Sequence, residues 1–327
     1  MHTSMEALLE VKELKKYFPV SNTIPFKKST QSVKAVDGVN FKVYPGETLG
    51  VVGESGCGKS TMARLVNQLI KPTDGVVNFN NEDLVKMNAE TLRDTRKKIQ
   101  MIFQDPYASL DPRIKVGELI AEPLVIHNVG DKQSRRKRVE ELLEIVGLNK
   151  RFADRYPHEF SGGQRQRINI ARALTLNPEL VICDEPVSAL DVSVQAQVIN
   201  LLRHLQDEFN LTYIFISHDL NVVRYVCDRI AVMYLGKIVE VGTYEEIYSN
   251  PQHPYTKALF SAVPKESPFE DKERIILKGT VPSPLNPPSG CSFHERCPVA
   301  IDMCRTKEPT VVTTDNMHQA SCHLVDK

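Results

Sequence analysis

An excess of charge of either sign is the first thing this chain lacks. Its 41 Lys and Arg are matched by 41 Asp and Glu, so no global field draws it onto nucleic acid or anionic lipid. No apolar run approaches the roughly 18 residues of a membrane span. The N-terminus "MHTSMEALLEVKELKK" has no unbroken apolar core and places acids and lysines early, so no signal peptide is expected. Tryptophan is absent, but 41% hydrophobic and 25% charged residues make an ordinary composition. The 327 residues leave room for about two domains at roughly 100 to 200 residues each. A protein made and kept in the cytoplasm is expected, where thiols stay reduced and clustered cysteines do not pair as disulfides.

Hydrophobic periodicity places strands at "VNFKV" and "TLGVVG", the second feeding a glycine-rich loop and the helix "KSTMARLVNQLI". Residues 7 to 18 alternate in patches and lead into the polar loop "PVSNTIPFKKSTQ". After the strand "IQMIF" the pattern reads as helical up to about Leu176. In it, "SRRKR" starts an amphipathic helix carrying Val139, Leu142, Leu143 and Val146. Strands return in "ELVICDEP" and "LTYIFIS", and "RIAVMYLGKIVEVG" reads as a hairpin turning at Gly236. The fold class is α/β, a mixed core interrupted by a helical segment. From about Thr243 prolines crowd "NPQHPYTKALF" and "VPSPLNPPSG" around the charged "KESPFEDKER", which marks a separate C-terminal region.

Three stretches carry chemistry. "GESGCGKST" matches G-x-x-x-x-G-K-S/T, with Gly53, Gly58, Lys59 and Ser60 in register and Glu54, Ser55, Gly56, Cys57 and Thr61 completing the loop. Glycines let successive backbone N–H groups turn around phosphate oxygens, Lys59 reaches the terminal phosphates, and Ser60 can ligate Mg²⁺. The alternative, a Gly-rich turn with a chance lysine, loses weight because the loop lies between a strand and a helix N-terminus. "LVICDEP" ends an apolar strand in two carboxylates. Alone, such a strand end is more often a helix cap or solvated turn; paired with the loop, Asp184 reads as a Mg²⁺ partner and Glu185 as the base for the attacking water. In "FSGGQRQRINIARAL", Ser161 caps a helix, Gly162 and Gly163 expose N–H groups beside Gln164, and Ile168, Ala171 and Leu174 give the buried face. By itself this is an ordinary cap, and whether it serves the chain's own nucleotide or a partner's is open.

With "SALD" at 188–191 and His218 after "YIFIS", these motifs occur in the order and spacing of ABC-type ATPase subunits, which the chain resembles over residues 7–245. The resemblance implies a P-loop (RecA-like) nucleotide-binding domain with an antiparallel β subdomain and an α-helical subdomain at about 105–177, followed by a C-terminal region at 246–327. It implies that "SGGQ" acts in trans in a head-to-tail dimer sandwiching ATP, with Asp191 beside it. Gln104 then links Mg²⁺ to the membrane partner and His218 contacts the γ-phosphate. The spacing from Leu14 favours Phe18 as the adenine-stacking aromatic, with Tyr17 as the alternative; either can instead pack the core.

"FQDPYASLDPR", "NPQHPYTKAL" and "PSPLNPPSGC" are similar to ATP-binding subunits of oligopeptide and dipeptide importers. That implies a peripheral subunit on the cytoplasmic face of the cell membrane, in a heterodimer with a second ABC ATPase subunit. Two transmembrane permease subunits and, indirectly, an extracytoplasmic peptide-binding protein complete the set. An ABC ATPase working on DNA or ribosomes is the competing class. The long coiled-coil insertion or second cassette usual in that class is missing here, and the neutral charge counts against phosphate-backbone binding. No nucleic-acid partner is expected.

Cys291, Cys297, Cys304 and Cys322 lack the C-x₂₋₄-C pair with which zinc sites usually begin. Four thiolates on a Pro-rich segment suit an iron–sulfur cluster, although not at a ferredoxin spacing. The importer resemblance implies a 4Fe–4S cluster, with Zn²⁺ the alternative and His294, His318 or His323 able to replace a ligand. Cys183 and Cys227 sit in core patterns.

Overall fold

The computed structural model describes residues 6–20, 31–263, 274–314 and 318–325. Most of the polar loop expected after Pro19 and of the charged stretch 265–274 lies outside them. Strands β1 (Leu9–Pro19), β2 (Ser32–Val43) and β3 (Thr48–Val52) precede helix α1 (Lys59–Val66). Next come β4 (Asp74–Phe79), β5 (Glu82–Asp83), α2 (Ala89–Thr95) and β6 (Ile99–Ile102). Helices α3 (Val116–Ile126), α4 (Lys132–Ile145) and α5 (Gly162–Leu174) lead to β7 (Leu180–Asp184), α6 (Val192–Phe209), β8 (Thr212–Ile216) and α7 (Leu220–Val226). The hairpin β9 (Arg229–Tyr234) and β10 (Lys237–Thr243) is followed by α8 (Tyr244–Ser249), α9 (Pro254–Ser261), α10 (Asp302–Thr306), β11 (Val311–Thr313) and β12 (Gln319–Ser321).

The chain divides into two compact units, one of residues 1–44, 48–85 and 218–327, the other of 45–47 and 86–217. In the first, β2, β1, β4 and β5 make an antiparallel sheet. The patchy alternation of β1 has a cause in its register: Val11 pairs with Phe41, but the next buried residue, Leu14, pairs with Val39, so an extra residue is accommodated between them. Glu13 takes φ 47 in that bulge, which resets the apolar side chains onto the core face. Also in this unit, β3 lies parallel to β9, and β10, β12 and β11 follow as antiparallel neighbours. The hairpin turns at Leu235 and Gly236, both at positive φ (44 and 79), the twist that two-residue hairpins favour.

Glu240, on β10, holds the C-terminal region. Its side chain is fully buried and accepts from the backbone N–H of Gln252 (2.6 Å) and of His253 (2.8 Å), while His318 Nε2 stands 2.7 Å from Oε1. One carboxylate therefore ties the approach to α9 and the approach to β12 onto the same strand.

The second unit is built on the parallel strands β6, β7 and β8. Every residue of β7 and β8 is buried, the continuous apolar pattern of strands covered on both faces. The helical segment starts later than expected, at Val116, because Asp105 and Asp111 turn the intervening chain by accepting from the backbone N–H of Tyr107 and Arg113. Asp131 and Ser134 form a capping box that opens α4, whose basic start is solvated and whose Val139, Leu142 and Leu143 are buried. In the first unit, α1 stops at Val66, short of the expected Ile70, because Gln68 adopts φ 53.

Replacing Glu240 with Leu strands a buried and a part-buried amide donor and His318. Glu240→Leu is expected to cost on the order of 3 kcal/mol, read as a lower urea midpoint at unchanged slope.

Candidate functional site

The glycine loop occupies the first unit between β3 and α1. A side-chain carbon on Gly53 would lie 2.1 Å from the Met233 carbonyl oxygen, and one on Gly58 would lie 2.1 Å from that of Ala35. Gly58 also has φ 108, so the loop backbone is pressed against two neighbouring strands at positions only glycine can fill. Ser55 and Gly56 form an exposed tip, whereas Cys57 is buried, which pushes its thiol pKa up. Lys59, 5% exposed, folds back so that Nζ donates to the carbonyls of Gly53 (2.8 Å) and Glu54 (3.1 Å). Gly58, the residue before α1, provides no side-chain cap, and Lys59, Ser60 and Thr61 form the first turn. The result is a glycine loop leading into the N-terminus of α1, with the Lys59 ammonium held on the loop carbonyls, a donor set that fits the phosphates of a nucleotide.

In the second unit Asp184 ends β7 at 2% exposure. Glu185 follows at φ 48, a strained backbone for a non-glycine residue, with its N–H donating to the Ile216 carbonyl at 3.1 Å. Gln104 Nε2 donates to Glu185 Oε2 at 2.8 Å. The two residues assigned to metal coupling and to water activation are thus brought together across 81 residues of chain. Ser161 caps α5 in a reciprocal box with Gln164, at 3.4 and 3.1 Å. A side-chain carbon on Gly163 would meet Val194 at 2.3 Å, so α6 packs directly on the α5 N-terminus. Asp191 precedes α6 without a side-chain cap bond, and Leu190 approaches Gly162.

His218 is exposed and stands just before Asp219, the cap of α7. Tyr17 donates its hydroxyl to Asp37, has Lys34 5.5 Å from its ring centre, and lines a cavity of about 520 Å³ with Lys15 and Lys237. Phe18 is 38% exposed, with Lys16 Nζ 5.2 Å from its ring centre.

The four tail cysteines share one region. Cys291 N–H donates to the Cys304 carbonyl at 2.8 Å, and Cys322 follows β12, which pairs with β10. Burial pushes the Cys291 thiol up to about 11, and the charges of Cys304, Cys322 and Cys297 push the same way. Among the described residues, no three or more His, Cys, Asp or Glu side chains are grouped so as to hold a metal ion as they stand. The neighbouring histidines are engaged elsewhere. His294 Nδ1 lies 2.8 Å from the Cys291 carbonyl, His323 Nε2 lies 2.9 Å from that of Lys307, and His318 is on Glu240. Cys183 and Cys227 are buried core thiols.

Sequence reasoning missed two residues that touch the loop. Arg296 is paired with Glu54, and the Tyr255 hydroxyl accepts from the Glu54 N–H. The available signal was a lone arginine inside "CSFHERC".

Residues 36–188 match the family profile described as ABC transporter. A dimeric ATP-binding cassette in a post-hydrolysis state, bound to ADP and Pi, superposes with a TM-score of 0.64 at 32% identity, covering 72% of this chain and 98% of that one. Fold and loop together define an ABC nucleotide-binding domain, mixed α/β with antiparallel and parallel sheets, and hence an ABC ATPase for which ATP and Mg²⁺ are the expected ligands.

Residues 239–304 match a second profile, oligopeptide/dipeptide transporter, C-terminal region. The oligopeptide transport ATP-binding protein AppF of Bacillus subtilis is 56% identical over 98% of both chains. OppF of Salmonella typhimurium is 54% identical, covering 98% of this chain and 97% of its own. The chain belongs to the family of oligopeptide and dipeptide transport ATP-binding proteins. No helix among the described residues is long and apolar enough to cross a membrane.

Gly58→Ala adds a clash and a strained φ at the centre of the loop. It is expected to weaken ATP binding about tenfold or more in calorimetric titrations with Mg²⁺, with the far-UV CD spectrum unchanged.

Proposed function

We propose that this chain is the ATP-hydrolysing subunit of an importer of oligopeptides or dipeptides, working through permease subunits. The observation that carries this reading is the match of residues 239–304 to the C-terminal region of oligopeptide/dipeptide transporters, because the ABC transporter profile names no cargo. Residues 7–245 serve as the ATPase domain, with its helical subdomain at about 105–177, and 246–327 serve as the importer-type region.

Gly53 to Thr61 cradle the phosphates, with Lys59 on the terminal ones. Ser60, Gln104 and Asp184 attend to Mg²⁺, which neutralises charge on the transferred phosphoryl group when bound. Glu185 takes the proton of the attacking water, and its contact with Gln104 supports a base whose position depends on the loop facing the permease. His218 contacts the γ-phosphate, and Phe18 stacks on adenine. Phe18, favoured over Tyr17 by its spacing from Leu14, is also 38% exposed, whereas the Tyr17 hydroxyl is committed to Asp37. Ser161, Gly162, Gly163, Gln164 and Asp191 serve the nucleotide of a partner subunit in a heterodimer. The assembly lies at the cytoplasmic face of the membrane, as a peripheral pair of ATPase subunits that an extracytoplasmic binding protein supplies with peptide. No nucleic acid takes part.

Cys291, Cys297, Cys304 and Cys322 would hold a 4Fe–4S cluster. Four thiols are the ligand number such a cluster takes, and the other three push the Cys291 thiol up, which supports their sharing one site. When bound, it would staple a region with little core of its own.

Glu185→Gln is expected to lower ATP turnover at least about 100-fold while ATP stays bound, and wild-type turnover would remove Glu185 from the role of base. Anaerobically purified protein is expected to be brown, with iron and sulfide that Cys291→Ser reduces. Colourless wild-type protein with stoichiometric zinc would assign the thiols to zinc instead.

A further inference from the structure

Glu54 is the second residue of the phosphate loop, and each of its polar groups is taken. Its carboxylate receives both arms of the Arg296 guanidinium, Nη1 at 2.7 Å and Nη2 at 2.9 Å. Its N–H donates to the Tyr255 hydroxyl at 2.9 Å. Its carbonyl accepts from Lys59 Nζ at 3.1 Å. The first two contacts come from residues 242 and 201 positions further along the chain. The third comes from the lysine that reaches the terminal phosphates.

The arginine is the fixed member of the pair, with its side chain 8% exposed against 30% for Glu54. Its fixity traces to Phe293, three residues earlier and 1% exposed. That ring is wedged against Tyr234, Tyr255 and His253 at centroid distances of 5.2, 5.4 and 5.5 Å. Arg296 itself stands 5.8 Å from the centre of the Tyr234 ring. Phe293 and Arg296 both lie between Cys291 and Cys297. The segment that carries the thiols therefore also carries a plug and a clamp. A bidentate arginine–carboxylate pair fixes direction as well as distance, so the clamp sets where the Glu54 carbonyl points and with it where the Lys59 ammonium rests.

We propose that Arg296, supported by Tyr255, is a positioning residue of the phosphate loop, so that the folded C-terminal cysteine region sets how tightly this chain holds nucleotide. A loop held in its binding shape before ATP arrives does not lose that ordering free energy from affinity. If the cysteine region is loosened, the loop is loosened with it, and the nucleotide must order both. The inference rests on the reading of Gly53 to Thr61 as the nucleotide loop, and it extends that reading to a region of the chain that touches no phosphate.

The test uses the full-length chain, fluorescent ATP-analogue titration with Mg²⁺, and steady-state ATP hydrolysis. Arg296→Gln is expected to raise Kd and KM for ATP on the order of tenfold, with kcat at saturating ATP within about twofold and Tm close to wild type. Arg296→Lys keeps the charge without the fork and is expected to fall between. Glu54→Gln removes the same pair from the loop side and is expected to weaken ATP binding as much as Arg296→Gln does, and the affinity of the double variant should be no worse than that of either single one. Wild-type affinity in Arg296→Gln, or losses that add in the double variant, would overturn the proposal. Should Arg296→Gln fail to fold, Glu54→Gln alone decides, with unchanged affinity counting against the clamp. A wild-type chain that bound no nucleotide would sink the reading of the loop itself, whereas wild-type affinity in both variants sinks only the clamp.

Discussion

A site made of backbone N–H groups works only if the backbone cannot relax, and in this chain the constraint is applied by two carbonyls. Met233 and Ala35 close on the glycine loop to 2.1 Å from where side-chain carbons would stand, and much of the first unit follows from satisfying that approach. The β9–β10 turn is held to the loop by the Gly236 N–H on the Cys57 carbonyl at 2.9 Å, and to β2 by the Asp37 N–H on the Gly236 carbonyl at 2.8 Å. The loop, the hairpin turn and β2 thus locate one another. The parallel pairing of β3 with β9 puts the loop at the strand end where this can happen.

The second unit meets a different demand. Its strands β7 and β8 are buried throughout, which leaves chemistry only at their ends. Asp184 and Glu185 stand at such an end, and the left-handed backbone of Glu185 turns its carboxylate to Gln104. Strain at that residue is tolerable because its N–H is anchored on Ile216. The α5 cap is equally specific, since Ser161 and Gln164 satisfy each other and Gly163 lets α6 close in.

Features with a local cause were legible in the residues. The apolar run at 180–184, the cap at Ser161, the turn at Gly236 and the loop motif each follow from a few consecutive side chains. Features set by distant packing were not. The bulge at Glu13 was visible only as broken alternation, β5 and α2 are too short to announce themselves, β4 buries only Val77 and Phe79, and Gln68 ends α1 inside a pattern that still reads as helical. Two partners of Glu54, Arg296 and Tyr255, lie more than 200 residues away. No periodicity encodes such a contact, and motif reasoning treated the cysteine region as separate from the loop it grips.

Import of peptide driven by Glu185 chemistry is most directly tested in cells that have lost this chain. Uptake of a labelled oligopeptide should return with the wild-type chain and stay absent with Glu185→Gln at equal abundance. Uptake restored equally by both would contradict a role for ATP hydrolysis by this subunit in peptide import.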